Sequence, residues 1–224
     1  MAEAPPSDRV RVRRHADRGR YDRETVYGIL DEALFCHVGF VHDGQPLVIP
    51  TLHGRDGDTL YVHGAVASTL VRDLAAGVPV CVTVSLIDGL VLARSLYNHS
   101  VNYRSAVILG RAHEIKDADE KLRALEVLVE HAVPGRFEGA RVPSPSELKA
   151  TRVLRLPLAE ASAKVRSGPP IDDEEDKDLD VWAGVIPIRV RMGAPVPAPE
   201  MPKARAVPDH VLRRVAAFSG TEGG

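Results

Sequence analysis

The sequence is short of cysteine, of excess charge and of long apolar runs, and each shortage argues against a class of protein. Cys36 and Cys81 are the only thiols among 224 residues; both lie in apolar runs, which favours buried reduced cysteines over a disulfide. A net charge of −2 argues against general binding to nucleic acid or anionic membranes, which needs clustered Lys and Arg. No apolar run approaches the ~20 residues of a membrane span, and residues 1–6 lack a signal-peptide core. We therefore expect a cytoplasmic protein with no nucleic-acid or membrane partner.

Several catalytic motifs are also missing from the sequence. No Gly-x-Gly-x-x-Gly follows a predicted strand, so a Rossmann nucleotide site is unsupported. The nine histidines show no metal-ligand spacing such as His-Glu-x-x-His, and the two cysteines lie far apart, so no metal site is expected. The absence of a Gly-x-Ser-x-Gly elbow argues against a serine hydrolase.

The sequence does contain a succession of short strand patterns separated by Asp-Gly turns. Asp22 is predicted to cap a first helix, and Asp117 with Glu120 is predicted to form a capping box on a later one. Strands are predicted over 34–41, 47–53, 59–63, 78–86, 90–93, 100–114, 153–158 and 161–165, with a turn at 54–57, a helix over 67–76 and the last two strands as a hairpin. Six or more antiparallel strands with helices only as connectors predict a mainly β protein, a small barrel rather than a βαβ sheet.

The two ends of the chain differ in composition from its centre. Residues 1–20 are predicted to form a flexible Arg-rich arm, 21–190 the barrel domain with an acidic loop at 168–180, and 191–224 a Pro-rich tail with a last helix over 208–218. The arginine-rich and acidic runs are interpreted as separate solvated or mobile segments, and docking of one on the other is the alternative.

One candidate anion site lies where a predicted strand is followed by a predicted helix. His63 ends the strand, and Ser68 and Thr69 begin the helix, where free backbone amides and hydroxyls can bind a phosphate. The alternative is that Ser68 and Thr69 serve only as helix caps.

A second candidate lies at the entrance to the strand that begins near residue 100. Arg104 offers a bidentate fork for a phosphate, and Ser105 adds a hydroxyl. The alternative is that Arg104 pairs with a surface carboxylate. These residues alone do not decide between the two.

Four segments taken together resemble a known family. They are Val48 to His53, Leu60 to Ala65 with Ser68, Asn102 to Val107, and Trp182 to Pro187. They are similar, in order along the chain, to the pyridoxamine 5′-phosphate oxidase-like flavin-nucleotide-binding proteins, and most to the branch containing the nitroimidazole-resistance proteins. The similarity runs roughly from Arg14 to Ile188. It implies a Greek-key antiparallel split β-barrel that forms a homodimer, with FMN bound between the subunits.

The resemblance also implies roles for individual residues. Pro50 and Thr51 would lie along the isoalloxazine edge, and His63, Ser68 and Thr69 near the phosphate. Arg104 and Ser105 would lie on the phosphate or ribityl side, with Asn102 and Tyr103 adjacent, and Trp182 would close over the flavin from the partner subunit. No catalytic residue is assigned, because the flavin carries the chemistry.

The resemblance leads to a first functional hypothesis and two alternatives. The first is an FMN-dependent oxidoreductase, nitroreductase-like, that reduces a small organic substrate such as a nitro-aromatic. The basic phosphate-binding set and C-terminal arginine motif of true pyridoxamine-phosphate oxidases are not found, since Arg189 and Arg191 follow Trp182 at another spacing, so vitamin B6 oxidation is not expected. The alternatives are a flavin-, deazaflavin- or haem-binding module without turnover, with His63 or His99 as haem ligands, and a dimeric scaffold with a degenerate groove.

Overall fold

A computed structural model describes residues 3–201 and 205–218 of the chain. The strands are β1 (Gly19–Arg20), β2 (Phe35–His42), β3 (Gln45–Leu52), β4 (Gly54–Asp56), β5 (Thr59–Ala65), β6 (Pro79–Leu92), β7 (Ser100–Arg111), β8 (His113–Glu114), β9 (Thr151–Pro157), β10 (Ala161–Arg166) and β11 (Gly184–Pro187). The α-helices are α1 (Arg23–Glu32), α2 (Thr69–Ala75), α3 (Ala118–Ala132), α4 (Pro145–Ala150) and α5 (Asp209–Phe218).

These strands form two antiparallel sheets. The larger sheet has the order β1-β10-β7-β6-β2-β3, and β11 pairs with the last part of β6. The smaller sheet has the order β4-β5-β9-β8. The two sheets enclose the core as an open split barrel, so the predicted mainly β fold class is confirmed.

Four local predictions were wrong. The predicted strand 100–114 is interrupted at Ala112, since β7 belongs to the larger sheet and β8 to the smaller one. Residues 54–56 form strand β4 rather than part of a turn: a Cβ on Gly54 would lie 3.0 Å from the Val127 carbonyl oxygen, so only glycine lets α3 approach so closely. The predicted strands 78–86 and 90–93 are one strand, β6, because an irregularity between Ile87 and Gly89 absorbs the Asp-Gly pair. Finally, β9 and β10 are not a hairpin. They follow each other in sequence, but β9 pairs with β5 and β8 in one sheet and β10 pairs with β7 and β1 in the other.

Capping explains where the helices begin. The Asp22 Oδ1 atom accepts a hydrogen bond from the Thr25 amide at 2.8 Å, as predicted for α1. Asp117 likewise caps α3, but the Glu120 side chain binds Arg155 at 2.9 Å, so the predicted box lacks its reciprocal half. The complete capping box belongs to α4, a helix that was not predicted.

The core lies between the two sheets and is lined by alternate residues of the central strands. Val38, Val82 and Ile108 are at most 2 % exposed, and Leu30 of α1 is fully buried against them. Burying a side chain of this size contributes about 1.5–3 kcal/mol. Both cysteines are free thiols, as predicted; Cys36 is fully buried, and burial raises its pKa to about 12.

The N-terminal segment and the acidic run each contact other parts of the domain. Val10 is buried, β1 extends the larger sheet, and Arg9 binds Glu160 at 2.8 Å. In the acidic run, Asp172 binds Arg94 at 2.6 Å. Within residues 3–201 and 205–218, the ion pairs of these two segments give no support for docking between them. No helix in these ranges is both long and apolar enough to cross a bilayer.

Candidate functional site

The end of β3 and the end of β5 form the first candidate wall. β3 contacts β5, and the chain continues from Leu52 into β4, whose Gly54 lies opposite Tyr61. This crossing places the last part of β3 beside β5. Pro50 is exposed and lies directly opposite His37 of β2, whereas Thr51 is half-buried and lies opposite Cys36.

His63 is a half-buried imidazole with an unsatisfied nitrogen. Its Nδ1 atom is buried and has no hydrogen-bond partner among the described residues. Burial lowers the pKa of His63 below its usual value, so the ring is neutral near pH 7. It would therefore meet a phosphate as a neutral hydrogen-bonding group and not as a cation.

Ser68 and Thr69 lie beside this strand end. A Cβ on Gly64 would lie 4.0 Å from the Ser68 Cβ atom and 2.9 Å from Val71 Cγ1, so the glycine allows the strand to pass close to the helix. The Ser68 hydroxyl makes no capping hydrogen bond to α2. The capping alternative for Ser68 is therefore not realised, and its hydroxyl has no hydrogen-bond partner among residues 3–201 and 205–218.

Arg104 lies elsewhere and is held by two carboxylates. Its guanidinium binds Glu32 at the end of α1 with two hydrogen bonds, one of them 2.8 Å long, and Asp88 with two more at 2.7 and 3.0 Å. These hydrogen bonds, first those to Glu32, raise the Arg104 pKa. All three nitrogens are engaged within the chain, so the carboxylate-pairing alternative describes this structure. A role on a phosphate would require this clamp to open.

The neighbours of Arg104 do not share one surface with it. Arg104 lies opposite Leu86 and Ser105 opposite Ser85; successive strand residues point to opposite faces, so Arg104 and Ser105 are not one anion-facing pair. Asn102 is buried and has a structural role, since it accepts from Arg166 and donates to the Gly168 carbonyl at 3.0 Å. Tyr103 and Ser105 lie on the outer face of the larger sheet.

Trp182 precedes the edge strand β11 and is 66 % exposed. Its ring lies over Gly184, where an added Cβ would be 2.9 Å from the Trp182 Cη2 atom. The glycine thus permits the ring to fold back along β11. Closure of Trp182 over a flavin in a partner subunit stays a prediction.

A groove of about 920 Å³ lies beside Arg104, lined by residues of β2 and β6 in the larger sheet and by residues 31–34 at the end of α1. One wall is formed by β2 and β6, the opposite wall by the segment 188–191 after β11 and by the end of α5. The volume falls within the roughly 300–1,000 Å³ of small-molecule and cofactor sites. Its apolar surface includes Phe35, Ile87, Val190 and Phe218.

Some charged side chains around this groove form ion pairs or hydrogen bonds, and others have no partner among the described residues. Asp31 binds Arg55 at 2.6 and 2.7 Å, and Arg104 binds Glu32 and Asp88. Arg214 donates to the carbonyls of His131 and Ala132 at the end of α3. Two arginines are left: Arg189 and Arg191 make no hydrogen bond or ion pair with any residue in the described ranges.

Histidines elsewhere do not form a metal centre. No cluster of three or more His, Cys, Asp or Glu side chains suited to a metal ion occurs among residues 3–201 and 205–218. His53 and His131 stack at 4.8 Å between ring centroids, and their Nε2 atoms bind the carbonyls of Leu30 and Ala33 at the end of α1. Their roles are structural. His99 is exposed, and its Nδ1 atom binds the Ser95 carbonyl at 2.9 Å.

The fold is an antiparallel split barrel, and its groove has the volume of a small-molecule or cofactor site. The pyridoxamine 5′-phosphate oxidase family model matches residues 22–165, and the chain belongs to this family. The expected family resemblance is therefore confirmed. A search of curated proteins returns no match.

Solved structures add two relatives that span nearly the whole chain. The flavocytochrome Anf3 from Azotobacter vinelandii is 45 % identical with a TM-score of 0.90, covering 94 % of this chain and 98 % of the other. An FAD- and haem-binding protein from Mycobacterium smegmatis is 35 % identical with a TM-score of 0.85, covering 91 % and 98 %. A protein from Bacteroides thetaiotaomicron assigned to 5-nitroimidazole antibiotic resistance is 27 % identical with a TM-score of 0.56, covering 66 % and 86 %.

Sequence reasoning missed most of the groove. The prediction named Arg104 but not its partners Glu32 and Asp88, which lie 72 and 16 residues away along the chain. His37 was hidden in a run that is apolar on both strand faces, so no alternation marked it as outward-facing. Whether Arg189 and Arg191 line the groove depends on where the segment after β11 lies in the fold. No local sequence pattern predicts that position.

Proposed function

We propose that this protein is a redox protein that binds both a flavin nucleotide and a haem, and that it acts as an oxidoreductase. The observation that carries the proposal is the extent of two of the similarities to solved structures. The family model ends at residue 165, but the flavocytochrome and the FAD- and haem-binding protein align over more than nine-tenths of this chain. They therefore share the segment after the barrel, which closes the groove.

The flavin fits best against the first wall, at Pro50-Thr51 and His63 to Thr69. Support comes from the Ser68 hydroxyl with no partner in α2 and from the buried, unpaired Nδ1 atom of His63. Such groups can hydrogen-bond a ribityl chain or phosphate, while the outer strand surface offers an apolar slot. Trp182 would act from a partner subunit. FMN is the flavin expected from the sequence; the Mycobacterium relative makes FAD the competing candidate.

The same face supports a homodimer with cofactors at its interface. Phe35 is 54 % exposed, Val48 66 % and Ile87 52 %, all on the outer side of the larger sheet. Monomeric proteins rarely leave such a contiguous apolar surface in water. Light scattering of the purified protein should give twice the chain mass of 24.3 kDa; a monomer at micromolar concentration contradicts the dimer.

When bound, a flavin exchanges one or two electrons and a haem exchanges one, which suits transfer between the two and onward to a small molecule. A nitro-aromatic substrate remains part of the proposal, with the Bacteroides protein as its support. A deazaflavin, or binding without turnover, is the alternative. The assay is oxidation of reduced protein, followed by absorbance, on adding a nitroimidazole or dioxygen.

The direct test of cofactor identity is an absorption spectrum with analysis of the released ligand. We expect flavin bands in the freshly purified protein, FMN or FAD released on denaturation and identified by chromatography, and a Soret band on titration with haemin. Protein with no flavin band and no thermal shift on adding FMN or FAD contradicts the flavin part, because a ligand selective for the native state must stabilise it.

A further inference from the structure

We propose that the groove between β2, β6 and the segment 188–191 is the haem site, with His37 as an axial iron ligand and Arg189 and Arg191 as partners of the haem propionates. This inference rests on the proposed function, because it assigns the position of the haem. It depends on three features of the groove: its shape and apolar lining, one unpartnered imidazole, and two unpartnered cations.

The shape and lining suit a flat apolar macrocycle. The groove measures about 920 Å³ and is walled by Phe35 and Ile87 on the strands and by Val190 and Phe218 opposite. Phe35 and Ile87 are more than half exposed in the chain, so their apolar surface is unsatisfied without an occupant. The segment 188–191 lies outside the family model at 22–165, and the alignment with the flavocytochrome covers 94 % of this chain, well beyond that model.

His37 is the only histidine that lines this groove. It lies in the middle of β2, between Pro50 of β3 and Thr83 of β6, so its Cα position is fixed by strands on both sides. Within residues 3–201 and 205–218 its imidazole makes no hydrogen bond or ion pair, which leaves both nitrogens available. A neutral imidazole nitrogen is a common axial ligand of haem iron.

Arg189 and Arg191 supply two positive charges, which match the two propionate carboxylates of a haem. They are two residues apart in an extended segment that continues β11, where Ile188 donates to the Asp88 carbonyl at 3.0 Å. Both line the groove, and neither is neutralised by a described residue, unlike Arg104 in its Glu32–Asp88 clamp. Two unpaired guanidinium groups beside an apolar slot match a ligand with two carboxylates better than one with a single phosphate.

The other histidines meet these conditions less well. His99 has its Nδ1 atom on the Ser95 carbonyl and does not line the groove. His63 is half-buried beside α2, and His53 is fully buried with Nε2 on the Leu30 carbonyl. The position of His37 also places a haem beside the Pro50 wall, because His37 and Pro50 are directly paired across β2 and β3. The two cofactors would then be close enough for electron transfer.

The test is a haemin titration of the full-length protein, its His37→Ala and His37→Gln variants, and His99→Ala as the matched control. We expect both His37 variants to bind haemin roughly tenfold more weakly or worse, to lose the imidazole-ligated Soret and electron paramagnetic resonance signals, and to regain them with added imidazole. His99→Ala should match the unsubstituted protein. Arg189→Gln and Arg191→Gln should each weaken binding about two- to fivefold without changing the iron spectrum.

The outcomes separate this inference from the proposed function. If the unsubstituted protein binds no haemin, the haem part of the proposed function fails, and this inference with it. If it binds haemin and His37→Ala keeps the unsubstituted spectrum and affinity, or His99→Ala loses them, only the ligand assignment is overturned. Flavin content, measured in each variant, should stay unchanged; a loss of flavin on His37 substitution would instead place the flavin in the groove and overturn the assignment.

Discussion

The two faces of the larger sheet are built from the same strands and differ in almost every property. On the inner face, Cys36, Val38 and Ile108 are fully buried. On the outer face, Phe35 and Ile87 are more than half exposed, and His37 has no hydrogen-bond partner among the described residues. Adjacent residues of one strand therefore point to different surfaces. The inner surface is covered by the rest of the chain, and the outer surface is exposed.

The inner face contributes mainly to stability, and the outer face carries the candidate binding site. The inner face needs only apolar side chains of the right volume. The outer face combines apolar surface with an imidazole and unpaired arginines, which costs stability unless something binds there. The tail and α5 cover only part of it, and the remainder forms the groove.

The largest expected effect tests the inner face. Ile108→Ala should lower the free energy of unfolding by about 2–5 kcal/mol, because it leaves a cavity in a closed core. Ile87→Ala, the matched change on the outer face, should alter the free energy of unfolding by about 0.5 kcal/mol or less when the proteins are compared as cofactor-free monomers, because Ile87 is 52 % exposed in the single chain. Urea denaturation followed by circular dichroism measures both; equal losses would mean that Ile87 is as enclosed as Ile108.

A buried histidine on the inner side should make stability depend on pH. Burial, and then the neighbouring His131, lower the pKa of His53 to about 4, against about 6.5 in the unfolded chain. As pH falls below 6.5 the unfolded chain binds the proton first, so this stabilisation is present above 6.5 and is lost towards pH 4. We expect the free energy of unfolding to fall by about 2 kcal/mol between pH 7.5 and pH 5 from this group.

The control for that prediction is His53→Gln, whose amide can still donate to the Leu30 carbonyl but does not titrate. The free energy of unfolding of this variant should lack most of the pH dependence that is assigned to His53. An unchanged pH profile in His53→Gln would show that other groups cause the acid sensitivity.

The smallest expected effect concerns Arg104, at the edge of the groove. Arg104→Gln breaks the Glu32–Arg104–Asp88 clamp and should cost about 1 kcal/mol, because the groups are partly exposed and solvent screens their charges. Flavin affinity should change little. The same variant would show the opposite pattern, with weaker flavin binding at unchanged stability, if Arg104 were a phosphate ligand.

Much of the fold follows from local patterns in the sequence. Asp22 and Asp117 mark the starts of two helices, and the Asp43-Gly44 turn, with φ of 48° and 79°, joins β2 to β3. The pairing of strands that are distant in the sequence has no such local pattern. β9 and β10 look like a hairpin because a short loop joins them, yet each finds its partners in a different sheet.

The candidate site was less predictable for the same reason. The motifs placed Pro50 at the isoalloxazine edge and His63 and Ser68 near the phosphate. The structure shows β3 in contact with β5 and Ser68 beside the end of β5, and the cofactor roles stay predictions. The partners of Arg104 and the contribution of residues 188–191 depend on contacts between distant parts of the chain. Strand alternation puts Arg104 and Ser105 on opposite faces, so the expectation that both side chains face one anion conflicts with the strand that the sequence itself predicts.

The most direct test is whether flavin and haem occupy separate places at once. Protein loaded with flavin is titrated with haemin while released flavin is followed by its fluorescence and bound haem by the Soret band. We predict uptake of one haem per chain with no release of flavin. Stoichiometric release of flavin as haem binds would contradict the account, because it would mean that the Pro50 wall and the His37 groove are one site.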